Sequence, residues 1–134
     1  MKTAAIIAEF NPFHNGHRSL IRKAREAGAD RIIALMSGCY VQRGEPAVAD
    51  MSVRTQAALL GGADLVLVSP VRVSTASAES YAEGSIAILN ALGVVDELVF
   101  GSESGDIRKL TQTAAVLADE DETFKIKLKE GLRA

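Results

Sequence analysis

The sequence predicts an α/β protein with a Rossmann-like, doubly wound parallel sheet of about four to five strands. Short, nearly continuous apolar runs alternate with stretches of helical periodicity, as in sheets that helices cover on both faces. Most of these runs follow a glycine and an aspartate, at the spacing of βα units. Each run ends in small or polar residues, and ligands bind such sheets at the carboxyl ends of the strands.

Four apolar runs are the predicted strands. They cover residues 3–8, 31–36, 65–68 and 97–100. A glycine precedes each of the last three, at Gly28, Gly62 and Gly93, and we expect each glycine to end a helix in the left-handed conformation. Because the repeated segments share no side-chain consensus beyond the glycine and the aspartate, the repeat indicates βα units rather than a solenoid.

Helical periodicity predicts five helices. They cover residues 15–27, 51–60, 77–92, 104 or 106 to 117, and 123–132. The first carries one apolar stripe, formed by Leu20, Ile21, Ala24 and Ala27. Asp50 is a good N-cap for the second helix, a role that we favour over catalysis, and the acidic run 119–122 is suited to begin the last. The segment 38–49 lacks periodicity, as functional loops often do.

Length and composition predict one domain over residues 1–134, with 48% apolar and 24% charged residues. The net charge of −2 provides no global basic field for nucleic acid. Cys39 is the only cysteine, which excludes an internal disulfide, and we expect it to be a small packing residue. The N-terminal apolar run is too short to span a membrane and lacks a signal-peptide cleavage pattern, so we expect a cytoplasmic protein.

The run 9–17 carries the strongest functional signal. It leads from the first strand into the N-terminus of the first helix, where free N–H groups favour bound phosphate. Gly16 permits close backbone approach, and His14 and His17 can donate hydrogen bonds to phosphate oxygens. This HxGH pattern favours a nucleotide site over metal ligation or a purely structural role. The absence of a dinucleotide fingerprint and of a P-loop argues against a dehydrogenase or a P-loop kinase.

Two further residues of this run have open interpretations. Glu9 is either a solvated strand end, or an acceptor for substrate or ribose hydroxyls or a magnesium-associated carboxylate. Asn11 shapes the turn before the helix, or contacts the nucleotide.

Later residues near the predicted strand ends are also candidates. Arg43 and Arg54 are each either a bidentate ligand of a polyphosphate or a plain surface arginine. Gly101, Ser102 and Glu103 follow the last strand. They form a simple β-turn or face a base or phosphate, and their position favours the ligand role.

Several segments in order resemble the tRNA(Met) cytidine acetate ligases, within the HxGH nucleotidyltransferase superfamily. The matching segments are 9–17, 36–38, 41–47, 58–66, 77–79, 92–96 and 100–103. The sequence departs from the family pattern at Cys39, Tyr40 and Met51. Because family chains are longer, the resemblance implies either the N-terminal, ATP-binding portion of a family member, truncated relative to it, or an unusually short relative.

The resemblance implies an enzyme that adenylates acetate with ATP and passes the acetyl group to the wobble cytidine of elongator tRNA(Met). It implies magnesium beside ATP, and it assigns stabilisation of the transition state to His14 and His17. The ATP-binding residues that it implies are Ile7, Ala8, Glu9, Phe10, Asn11, Pro12, Phe13, His14, Asn15, Gly16, His17, Gly101 and Ser102.

Two other functions stay open. One is a small-molecule adenylyltransferase of the same superfamily that takes a phosphorylated metabolite, and the other is a non-catalytic nucleotide-binding module. The missing later segments of the family leave open whether these residues act alone. They also make a homo-oligomer an expectation, since apolar surface would be exposed.

Overall fold

The computed structural model describes residues 1–118 and 122–131. The chain divides into two compact units, Met1–Phe100 and Gly101–Ala134. A single domain over the whole chain stays a prediction. Among the described residues, no helix has both the length and the apolar content needed to cross a membrane.

A four-stranded parallel sheet forms the centre of the first unit. Its strands are β1 (Thr3–Ala8), β2 (Arg31–Ser37), β3 (Leu65–Ser69) and β4 (Glu97–Leu98). The order across the sheet is β3-β2-β1-β4, and Ala4 of β1 lies between Ile32 of β2 and Glu97 of β4. This confirms the predicted α/β, Rossmann-like class, although β4 is shorter than the run 97–100.

This unit contains four helices, α1 (Asn15–Glu26), α2 (Met51–Leu60), the short α3 (Val71–Ser74) and α4 (Ala78–Leu92). The bounds of α1, α2 and α4 agree with the predicted ones to within about a residue. Asp50 caps α2 by accepting the Ser52 N–H, and Ser77 caps α4 by accepting the Ser80 N–H. Neither α3 nor a 3₁₀ turn at Gln42–Gly44 was expected from periodicity.

Helices cover both faces of the sheet, as the continuous apolar strands predict. On one face, α1 and α2 bury Ile21, Ala24 and Ala58 against alternate strand residues. The strand residues of that face include Ala4, Ile6, Ile32, Ala34 and Met36. On the other face, Leu89 of α4 packs on Ala5 and Leu35. The alternation follows from the two-residue period of a strand.

The glycines of the repeat adopt positive φ angles, as predicted, although only Gly93 is itself a helix C-cap; Ala27 and Gly61, one residue before Gly28 and Gly62, cap α1 and α2. The values are +97° at Gly28, +110° at Gly62 and +65° at Gly93. At Gly93 the residue is the left-handed C-cap of α4. These turns bring the chain from each helix to the start of the next strand, where an aspartate follows.

Each aspartate of the repeat pairs with the start of a neighbouring strand. The Asp64 N–H donates to the Ile32 carbonyl at 2.9 Å, and the Ile32 N–H donates back to Asp64 Oδ2 at 2.6 Å. Asp30 exchanges the same two bonds with Lys2, and Asp96 with Thr3. The three carboxylates therefore satisfy backbone donors along the amino edge of the sheet.

The described part of the second unit contains two helices, α5 (Ile107–Ala118) and α6 (Glu122–Gly131). Asp106 Oδ1 accepts the Arg108 N–H at 3.0 Å, so Asp106 begins α5 as one of the two predicted starting residues. The helices predicted over this region are confirmed in position within the described residues, and the predicted end at residue 132 lies outside them. Most of the acidic run expected to begin the last helix, residues 119–121, lies outside the described residues.

Candidate functional site

The segment 9–14 connects β1 to α1 at the carboxyl edge of the sheet. Because β1 lies between β2 and β4, this is the point where the strand order reverses and where such sheets bind ligands. Phe10 turns the chain with a φ of +48° and is only 1% exposed. Its ring meets Phe13 and His17 edge to face, with centroids 5.2 and 4.9 Å apart. The segment is therefore anchored by aromatic packing.

Both histidines cap the helix through the same ring atom. His14 is the N-cap of α1, and its Nδ1 accepts the Gly16 N–H at 3.1 Å. His17, three residues later, accepts the His14 N–H on its own Nδ1 at 3.3 Å. This reciprocal arrangement satisfies two donors at the helix terminus and has the logic of a capping box.

The use of Nδ1 fixes which nitrogen remains for a ligand. A neutral imidazole that accepts on Nδ1 carries its proton on Nε2. Each histidine therefore keeps one N–H donor that the helix cap does not use. His14 is exposed and His17 is half-buried, so both donors belong to the surface side of the turn rather than to the core.

The two imidazoles are stacked, with ring centroids 3.7 Å apart and planes inclined by 23°. Burial lowers the pKa of His17 below its ordinary value of 6.5, and the nearby His14 charge lowers it further. His17 is therefore neutral at pH 7. The stacked pair thus offers N–H donors without placing two positive charges in contact.

Gly16 leaves room for the His14 ring. A Cβ at this position would lie 2.9 Å from both Cε1 and Nδ1 of His14. The predicted reason for this glycine was the approach of a ligand. The structure adds a second reason, since the same space lets His14 fold back over the helix terminus.

The loop 38–49 is fastened to the run 9–17 by two hydrogen bonds. Glu9 Oε1 accepts the Gln42 N–H at 2.8 Å, and Asn11 Oδ1 accepts the Val48 N–H at 2.7 Å. Glu9 is thus a structural acceptor, which neither of its predicted interpretations included, and its other oxygen makes no hydrogen bond among the described residues. A ligand role for Glu9 or Asn11 stays a prediction.

The Arg54 side chain is buried, which neither of its predicted interpretations included. It is 1% exposed, and its guanidinium donates only to backbone carbonyls. Nε donates to Ala49 at 3.0 Å, and Nη1 donates to Glu9 and to Ser37, each at 2.9 Å. Nη2 donates to Gly38. With its donors committed in this way, direct contact between Arg54 and a polyphosphate, which stays untested, has no support from the geometry.

Arg43 lies at the opposite extreme of exposure. It occupies the 3₁₀ turn with a φ of +69°, and with Gln42 and residues 75–78 it lines a cleft of about 340 Å³. An arginine in the left-handed region is uncommon and is strained relative to glycine. Its predicted phosphate contact is untested. Cys39 in the same loop is exposed, so the expectation that it packs internally is wrong.

A polar group on the α4 face was missed in the sequence. Burial raises the pKa of Tyr81 above 10.0; Ser37 opposes this shift, and the Glu9 charge adds to it. Ser37 Oγ is buried and has no hydrogen bond of normal geometry among the described residues. Tyr81 lies two residues, about half a helical turn, after the matched segment 77–79. This position was the signal in the sequence that could have identified Tyr81 as a candidate.

The remaining predicted residues divide by location. Ile7, Ala8 and Phe13 pack against the two cores, and the buried Phe10 has only its backbone available to a ligand. Pro12 and Asn15 are exposed.

Gly101, Ser102 and Glu103 are exposed in the second unit. Ser102 Oγ accepts the Gly105 N–H there at 3.3 Å. Their nucleotide contacts stay predictions.

The family model described as HIGH Nucleotidyl Transferase matches residues 1–134. The chain belongs to the HIGH nucleotidyl transferase family. The helix terminus with its two histidines is the part of the fold that carries the motif of this family name in our sequence. The resemblance stated from the residues is therefore confirmed at the level of the family.

Relatives of this HIGH nucleotidyl transferase chain are named tRNA(Met) cytidine acetate ligase. One, from Acetivibrio thermocellus, is 46% identical over 98% of the chain, and one from Caldicellulosiruptor saccharolyticus is 51% identical over 98%. Thermotoga maritima TmcAL bound with alpha-thio ATP is similar in structure, with a TM-score of 0.86 and 44% identity over 99% of the chain. The chain spans about a third of the length of these proteins, 32% to 34%.

Proposed function

We propose that this chain is the ATP-binding part of a tRNA(Met) cytidine acetate ligase. In this proposal it adenylates acetate with ATP, and the acetyl group then passes to the wobble cytidine of elongator tRNA(Met). The observation that carries the proposal is the pair of imidazoles at the N-terminus of α1, each with Nδ1 used by the helix and Nε2–H left for a ligand. The names of the relatives and the ATP analogue of the Thermotoga maritima neighbour support the choice of substrates.

The chemistry follows from the charges of the reacting groups. An acetate oxygen attacks the α-phosphorus of ATP, the bond to the bridging oxygen breaks, and pyrophosphate leaves with that electron pair. Negative charge increases on the phosphate oxygens during this displacement. The Nε2–H donors of His14 and His17, at the positive end of the α1 dipole, are placed to stabilise it.

Magnesium would accompany ATP in this proposal. Mg²⁺ is bound by substrate phosphates with one or two carboxylates, and Glu9 is the carboxylate in the run 9–17. No group of three His, Cys, Asp or Glu side chains is arranged for a metal within residues 1–118 and 122–131. The residues therefore fit an ion that arrives on the phosphates and receives at most one ligand from this run.

The test separates the helix-capping role of each histidine from its ligand role. His14→Asn and His17→Gln keep a side chain that can cap the helix but remove the imidazole Nε2–H. We expect both variants to remain folded, since the caps are kept although the ring contacts of His17 are lost, and to bind ATP–Mg at least about tenfold more weakly by calorimetry, as for a lost hydrogen bond to a charged group. Arg22→Gln, an exposed change on the same helix, is the control and should bind as the original chain does.

Exchange of labelled pyrophosphate into ATP then tests the reaction. Exchange that requires acetate supports the proposal. Exchange with a phosphorylated metabolite and not with acetate would instead favour another adenylyltransferase. Absence of ATP binding by the original chain would contradict the proposed site.

The proposal carries two further expectations. A tRNA-modifying enzyme acts where tRNA is found, so we place the chain in the cytoplasm. Self-association stays a prediction, and sedimentation would test it, since a clean monomer counts against it.

A further inference from the structure

Arg54 is a buried cation beneath the carboxyl edge of the sheet; the exposed Asp50 carboxylate interacts with its charge electrostatically but makes no ion pair with it. Arg54 takes part in none of the ion pairs found among the described residues. Its hydrogen bonds go to carbonyl oxygens of three separate segments. A buried charge costs free energy unless it is fully hydrogen-bonded. Burial of Arg54 is therefore unfavourable for stability unless its position also serves the candidate site.

The three segments that Arg54 joins are those that form the candidate site. Glu9 follows β1 at the start of the HxGH run, Ser37 ends β2 and Gly38 follows it, and Ala49 ends the loop before α2. A planar guanidinium with donors in a fixed fork can hold all three at once, whereas a lysine ammonium on a flexible stem cannot.

The same loop and run are joined again through side chains. Gln42 donates to Glu9 and Val48 donates to Asn11, at 2.8 and 2.7 Å. Arg54 thus supports, from inside, a contact that these two bonds make at the surface. If the Glu9 carbonyl moves, the Glu9 side chain and the turn into His14 must move with it.

We propose that Arg54 is a positioning residue that holds the HxGH run and the loop 38–49 in one arrangement, and that it sets nucleotide affinity without touching the nucleotide. The part of this inference that concerns affinity rests on the proposed function. The part that concerns the loop does not.

A second arginine provides a matched control at the other edge of the sheet. Arg25 donates to the carbonyls of Ala29, Asp30 and Gly62 and pairs with Asp64 at 2.5 Å. It joins elements as Arg54 does, but at the amino edge, away from the HxGH run. Arg25→Lys should therefore cost stability without changing the site.

The experiment compares Arg54→Lys with Arg25→Lys in the whole chain. Amide hydrogen exchange of Gln42 and Val48 reports the two surface bonds directly, and calorimetry with ATP–Mg reports affinity. For Arg54→Lys we expect both amides to exchange on the order of tenfold faster than in the original chain, beyond any change in the β2 amides, and ATP to bind on the order of tenfold more weakly. Arg25→Lys should change neither quantity.

The positioning role is overturned if Arg54→Lys leaves Gln42 and Val48 exchanging at their original rates, or if Arg25→Lys reproduces both effects. Should Arg54→Lys fail to fold, Arg54→Met in the same comparison replaces it, because methionine keeps the buried stem and removes every donor. If the original chain binds no ATP, the proposed function fails. The exchange rates of the two amides then decide the positioning role alone.

Discussion

The Phe13 ring lies so close to Gly61 that a Cβ at position 61 would overlap the ring. Gly61 has helical angles, φ −76° and ψ −8°, so its conformation does not require glycine. The space does. This contact fastens the turn that precedes α1 to the end of α2, and it explains why the chain has a glycine here directly before the positive-φ Gly62.

We predict that Gly61→Ala destabilises the protein by about 1–3 kcal/mol, since the added methyl group must displace an aromatic ring from its packing. Urea unfolding measures this. In Phe13→Leu/Gly61→Ala the smaller side chain makes room, so the double variant should lose less than the sum of the two single changes. Strict additivity would show that the ring and the glycine are not coupled.

Gly16→Ala should separate binding from stability. Alanine is favoured over glycine within a helix by up to about 1 kcal/mol, so stability should change little. The new methyl group would lie 2.9 Å from the His14 ring and displace it. We expect ATP–Mg affinity to fall about tenfold or more, as for loss of one hydrogen bond to a charged group. A large loss of stability with unchanged affinity, by urea unfolding and calorimetry, would contradict this.

Acid should weaken the protein through His17. Its pKa is lower in the folded state than the ordinary 6.5, because it is partly buried and lies beside His14. The unfolded chain therefore binds this proton more tightly, and the free energy of unfolding should decrease as the pH falls from about 6.5, levelling off below the folded-state pKa. Protonation of Nδ1 would also break its bond with the His14 N–H.

Urea midpoints at a series of pH values measure this dependence. His17→Gln does not titrate, so its stability should fall less steeply between pH 7 and pH 5. Equal slopes for the variant and the original chain would assign the dependence to other groups.

Tyr81 should ionise only at unusually high pH. Burial raises its pKa above 10.0, and the Glu9 carboxylate adds to the shift. Ultraviolet titration, with Tyr81→Phe to assign the signal, should show this late ionisation. Glu9→Gln removes the negative charge and should lower the pKa of Tyr81, whereas Glu83→Gln, an exposed change on the same helix, should not. An unchanged titration in Glu9→Gln would place Glu9 away from the phenol.

The elements could be predicted because local and global signals agree. Continuous apolar strands, glycines with positive φ after helices, and the cap at Asp50 all favour the same boundaries. The short α3 and the 3₁₀ turn at Gln42–Gly44 were not predicted, since fewer than five residues establish no period. The end of β4 was overestimated because apolar character does not show where pairing with β1 stops.

The site was predictable in its motif but not in its support. The paired histidines could be recognised from spacing and from the strand before them. Arg54 was not recognised as a buried residue, because an arginine is rarely buried and its partners are carbonyls from segments far apart in sequence. Backbone acceptors have no sequence signature, so no reading of single residues could have paired Arg54 with Glu9 and Gly38.

The reciprocal bonds of Asp30, Asp64 and Asp96 have a consequence for how the sheet reaches its topology. Each aspartate precedes one strand and forms hydrogen bonds with both the N–H and the carbonyl of a residue at the start of the neighbouring strand. A sheet assembled in another strand order would leave at least one of these carboxylates and one amide without its partner, so the hydrogen bonds at the edge remote from the histidines disfavour other strand orders.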